Sequence, residues 1–126
     1  MRQPPVMPQP YGRHVRLRAR AEFTAVQDGG RRVSTAYFTM LGLSNAHNCD
    51  RLGIIASRRM GGAVLRNRAK RRLREIFRFE APDQTRQYGA PYVDLVVIPR
   101  REFVNAPFAT LQADFRAAVR KLRRAR

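Results

Sequence analysis

The chain has 126 residues, 44% of them hydrophobic, with 26 Lys and Arg against 9 Asp and Glu, a net charge of +17 and a pI near 11.8. That length suits one compact domain with a single core and is too short for two ordinary ones. The charge points to nucleic acid rather than to any small acidic substrate, and the predominance of Arg, whose planar fork grips phosphate bidentately and stacks on bases, favours RNA.

Residues 1–12 carry Pro4, Pro5, Pro8 and Pro10 among Gln and Gly, which predicts a disordered tail ahead of one domain over 13–126. Ala19 to Gln27 has helical character, with Phe23 and Val26 on one face, and Gly29-Gly30 ends it. Arg32 to Leu43 alternates as one strand through Val33, Thr35, Tyr37, Thr39 and Leu41. A polar turn over 44–50 then makes the strand from Arg51 to Ser57 its natural hairpin partner. Pro82, Gly89 and Pro91 predict a loop over 81–91. The apolar run YVDLVVIP, residues 92–99, reads as a central strand. A last helix spans 105–124, with Asn105 as its cap and Phe108, Leu111, Phe115, Val119 and Leu122 as its core stripe. The resulting fold class is α+β: two or three strands precede the central helix, giving a mixed sheet of about four strands with three helices in the order α-β-β-β-α-β-α, the central helix crossing between parallel strands.

That central helix follows Gly61-Gly62. From Arg51 to Arg78 the chain carries ten basic residues against one acid, Glu75. On a helical wheel Leu65, Ala69, Leu73, Ile76 and Phe77 fall within an arc of roughly 120°, which predicts the buried face. Asn67, Lys70, Arg71, Arg74 and Arg78 occupy the opposite side, with Arg66 and Arg68 on its shoulders. A solvated face ordinarily mixes Glu with Lys at i,i+4 spacing; here the like charges repel unless a polyanion such as a phosphate backbone lies against them.

Nothing in the sequence assembles protein-based chemistry. His14 and His47 stand in a tail and a loop without helical partners, and His47 with Cys49 supplies at most two metal ligands. Asp94 is a lone acid in an apolar strand, with a structural arginine pair as its expected role. There is no phosphate-binding loop, nucleophile elbow or zincin motif. The single cysteine fits a reducing cytoplasm, and neither a signal-peptide core nor an apolar run of membrane-spanning length occurs.

Within SRRMGGAVLRNRAKRRLREIF, residues 57–77, the pattern of Ser, two basic residues, an apolar residue and Gly, followed by Arg66-Asn67-Arg68 and a basic pair, resembles the protein subunit of bacterial ribonuclease P. The similarity extends to RLRARAEF ending at Phe23, to DLVVIPR and to the last helix. The resemblance implies the protein part of an endoribonuclease ribonucleoprotein. Its RNA subunit cleaves precursor tRNA with bound magnesium to mature the 5′ end, and the protein itself contributes neither catalytic residue nor metal site. It also implies RNA-subunit binding by Arg58, Arg59, Arg66, Asn67, Arg68, Lys70, Arg71 and Arg74. It further implies a cleft for the 5′ leader between the first helix and the sheet, with Phe23 and, by strand alternation, Tyr37, Thr39, Leu41 and Ser57 as candidates. The family's crossover around the basic helix is left-handed. Gly62 stands where the family commonly has Asn. No DNA or membrane partner is expected; the competing readings are a ribosomal or other structural RNA-binding protein and a membrane-surface amphipathic helix.

Overall fold

The computed structural model describes residues 15–47, 49–80 and 92–124; the tail and the loop over 81–91 lie outside them. The described elements run α1 (Arg20–Gly29), β1 (Arg31–Ser34), β2 (Phe38–Ser44), β3 (Arg51–Ile54), α2 (Ala63–Glu80), β4 (Val93–Pro99) and α3 (Phe108–Arg124). One sheet has the order β1-β2-β4-β3, with β3 parallel to β4 and the other pairs antiparallel. The α+β class, the central position of the apolar strand and the crossover around α2 are as the sequence predicts.

Alternation along the strands sorts their side chains between two cores. Phe38, Met40, Leu52, Leu95 and Val97 face α2 and α3, where Leu73, Ile76, Phe77, Leu111 and Phe115 complete the larger core. Phe38 meets Phe103 edge to face with ring centroids 6.2 Å apart. Leu41 and Val96 face the other way and pack beneath Leu17 and Val26. The five residues predicted for the buried face of α2 all turn inward, Leu65 only partly.

Three expectations are corrected. The single strand over 32–43 is a hairpin, because the Thr35 hydroxyl accepts hydrogen bonds from the N–H groups of Tyr37 and Phe38, both at 3.1 Å, and bends the chain. β2 and β3 do not form a hairpin pair: β4, buried on both faces, lies between them. The intervening loop instead arches over the start of β4, where the Asn45 N–H bonds the Tyr92 carbonyl at 2.9 Å. Finally, Asn105 does not cap α3; it ends a 3₁₀ turn over Arg101–Asn105, and Pro107 supplies the carbonyl that accepts the Leu111 N–H.

Candidate RNA-binding face and cleft

The entry to α2 is built by a 3₁₀ turn over Arg58–Met60, which buries Met60 in the larger core and leaves Arg58 and Arg59 exposed. Gly61 follows at φ 135°, a conformation that disfavours an L side chain, and a Cβ there would stand 2.5 Å from Leu65 Cδ1. Gly62 has open space around it, and its carbonyl accepts the first helical bond, from Arg66 at 3.0 Å. The first turn of α2 contains no acidic residue, so its positive dipole end is left for an anion.

Asn67, Arg68, Arg71 and Arg74 are exposed along the helix, while Arg66 and Lys70 are half-buried. Among the described residues, no acid pairs with Arg58, Arg59, Arg68 or Arg71. The Arg66 Nε is enclosed without a hydrogen-bond partner. Val64, 81% exposed, adds an apolar contact beside the cations. The eight residues expected to bind RNA thus follow one another along the same segment.

Not every arginine of the segment belongs to that face. Arg72 turns inward, its Nη1 donating to the carbonyls of Phe103 and Val104 at 3.0 and 2.7 Å and its Nη2 to that of Ala106 at 2.7 Å, with the guanidinium 5.9 Å from the Phe108 ring centroid. Burial first, and the nearby charge of Arg68 second, lower its pKa. Arg78 bonds Glu75 at 2.7 Å. Arg51 is held bidentately by Asp94, with Nε to Oδ1 at 2.8 Å and Nη2 to Oδ2 at 2.7 Å, which confirms the structural role expected for Asp94 and raises the arginine's pKa.

Most of the residues expected to line a cleft lie on the opposite face of the sheet, on the side of α1. The Phe23 ring rests on the backbone of Gly53, where a Cβ would come within 2.5 Å of its Cε1. Thr39 pairs with Ile98 across β2 and β4, and the register of β3 on β4 carries the row on to Ile55, whose N–H bonds the Val97 carbonyl at 3.0 Å. These three half-buried side chains form a floor, Phe23 a wall, and exposed Ser57 leads out towards Arg58. Leu41 is on the same face but buried under α1. Tyr37 does not join the group: the Thr35 turn breaks the alternation, and Tyr37 packs against the larger core. Ile55 and Ile98 join this row without being expected from the sequence; their periodicity is visible there, but the partner of β3 is not.

No three His, Cys, Asp or Glu side chains converge on a possible cation site among the described residues. Glu22, Asp50, Glu75, Glu80 and Asp94 are each committed to an arginine. Burial is the main cause raising the Cys49 thiol pKa, leaving it poorly suited to act as a thiolate at neutral pH. No described helix is long and apolar enough to cross a membrane.

Fold and surface together define a small α+β protein that presents a polycationic helix on one side of its sheet and, on the other, the half-buried side chains of Phe23, Ile55 and Ile98 beside α1. The family model described as Ribonuclease P matches residues 11–123, and the chain belongs to that family as a bacterial ribonuclease P protein component. It is 41% identical over 110 residues to the ribonuclease P protein component of Chloroflexus aggregans, covering 87% of this chain and 76% of that one. It is also 34% identical over 110 residues to that of Thermotoga maritima, covering 84% and 90%. Among solved structures, the Thermotoga maritima RNase P protein superposes with a TM-score of 0.66 at 34% identity, over 88% of this chain and 97% of that one. The Staphylococcus aureus protein gives 0.66 at 26% identity, over 86% and 97%.

Proposed function

We propose that the chain binds the catalytic RNA of ribonuclease P through the exposed side of α2 and the 3₁₀ turn before it. In this reading it holds the 5′ leader of precursor tRNA in the cleft beneath α1. The observation that carries the reading is the division of the arginines: Arg51 and Arg72 are consumed by the fold, while Arg58, Arg59, Arg68 and Arg71 remain exposed without an acidic partner among the described residues. A charge distribution of this kind is unfavourable in isolation and is relieved by a polyanion.

The protein's contribution is then binding and orientation. Phosphates of the folded RNA lie along α2, met by arginine forks and the open helix N-terminus. Single-stranded leader bases lie against the Phe23 ring and the Thr39, Ile98 and Ile55 floor, a stacking platform tolerant of sequence. The magnesium that hydrolysis requires is held by RNA in this reading. The setting is the bacterial cytoplasm.

The test is reconstitution. Purified protein mixed with a bacterial ribonuclease P RNA at low magnesium should restore cleavage of precursor tRNA at the mature 5′ end. An inert mixture, with the protein still binding structured RNA, would assign it a purely structural RNA-binding role. Preference for anionic vesicles over structured RNA would revive the membrane-surface reading.

A further inference from the structure

Beneath the cleft lies a three-residue relay. Glu22 Oε1 accepts hydrogen bonds from the N–H groups of Arg18 at 2.8 Å and Ala19 at 3.0 Å, which fixes the first turn of α1 without a Ser, Thr, Asp or Asn cap. Its Oε2 accepts from Arg51 Nη1 at 3.0 Å. Arg51 and Asp94 are register partners on β3 and β4. Asp94 receives a further bond from Asn45 Nδ2 at 2.7 Å. The Arg51 side chain, 12% exposed, is therefore locked to the sheet by one edge of its guanidinium and offers Nη1 to α1. An arginine fork held bidentately keeps its direction as well as its distance.

At its other end α1 closes on itself, the Gly30 N–H bonding the Val26 carbonyl at 2.8 Å, and the chain passes directly into β1 at Arg31. Phe23 is one residue after Glu22, next to the point at which Arg51 ties α1 to the sheet. We propose that Glu22 is a positioning residue for the leader: through Arg51 and Asp94 it sets the height of α1, and with it the Phe23 ring, above the Thr39, Ile98 and Ile55 floor. The inference rests on the cleft reading given above.

Glu22→Gln separates the two roles of the side chain. The amide oxygen still accepts from Arg18 and Ala19, whereas its NH₂ group cannot accept from Arg51. With the protein reconstituted on ribonuclease P RNA, the variant should lose several-fold in affinity for precursor tRNA with a long leader and bind leaderless tRNA as the parent does. Hydrogen exchange in the free protein should show the amides around Phe23 opening faster. Unchanged exchange overturns the clamp. Faster exchange with leader preference intact overturns the positioning role. If the parent itself has no leader preference, the cleft reading fails and takes the positioning role with it, while the exchange result still decides the clamp.

Discussion

Arg68 and Arg72 stand one turn apart on α2, yet Arg68 is exposed while Arg72 spends its guanidinium on three main-chain carbonyls of the segment before α3. Removing each should therefore affect a different property, stability for Arg72 and RNA binding for Arg68. Arg72→Ala leaves the carbonyls of Phe103, Val104 and Ala106 without their donor and should destabilise the fold by about 2–3 kcal/mol. Arg68→Ala should change stability by no more than about 0.5 kcal/mol. It should weaken binding to the catalytic RNA and reduce the salt slope by about one. Urea unfolding and salt-dependent titrations of both variants check this; an unchanged slope for Arg68→Ala would count against α2 as the docking face.

The two glycines before α2 look alike in sequence and differ in what the fold requires. Gly61→Ala combines a strained φ of 135° with a Cβ 2.5 Å from Leu65 Cδ1 and should lower the unfolding midpoint markedly. Gly62→Asn meets nothing within 4 Å and places a capping side chain where the first helical carbonyl lies. A gain of a few tenths of a kcal/mol, read by thermal unfolding, is expected.

This contrast shows what was legible in the chain. The inward face of α2 could be read because Leu65, Ala69, Leu73, Ile76 and Phe77 repeat at the helical period, and the apolar run of β4 marked its place in the sheet. The same period leaves Arg72 off the basic side, but its partners could not be read, because the carbonyls it binds come 31 to 34 residues later. The same holds for the cleft. Thr39, Phe23 and Ser57 came from the family resemblance and strand alternation, whereas Ile55 and Ile98 join them only once β4 is known to separate β2 from β3. Tyr37 was misplaced by the side-chain hydrogen bonds of Thr35, a local effect that alternation alone does not reveal.

Phe23 and Gly53 form a ring-on-backbone contact that a mutant cycle can isolate. Gly53→Ala would put a methyl 2.5 and 2.7 Å from Phe23 Cε1 and Cζ, an overpacking expected to cost about 1–3 kcal/mol. Phe23→Ala should weaken leader binding by about 1–3 kcal/mol through the lost stacking surface. In the double variant much of the stability cost of Gly53→Ala should disappear, giving a favourable coupling of about 0.5–3 kcal/mol. Additive stabilities would show that the ring does not rest on Gly53 in solution.

Acid titration examines the relay from a different direction. The backbone N–H of Arg18 first, that of Ala19 next and then the Arg51 side chain hold the Glu22 carboxyl below its ordinary value of 4.5, against the opposing effect of burial. Because the folded value is the lower one, the unfolded chain takes up the proton first. The stabilisation from ionised Glu22 is therefore fully present above the unfolded value and is lost as pH falls through the folded value. In Glu22→Gln this contribution does not titrate. The difference in unfolding free energy between parent and variant should stay constant above about pH 5 and shrink progressively at lower pH. Protonated Glu22 then resembles glutamine in having lost the charge that holds Arg51. Denaturant unfolding across that range measures the difference directly, and a gap that persisted below the folded value would mean that the ionised carboxylate of Glu22 contributes nothing to the fold.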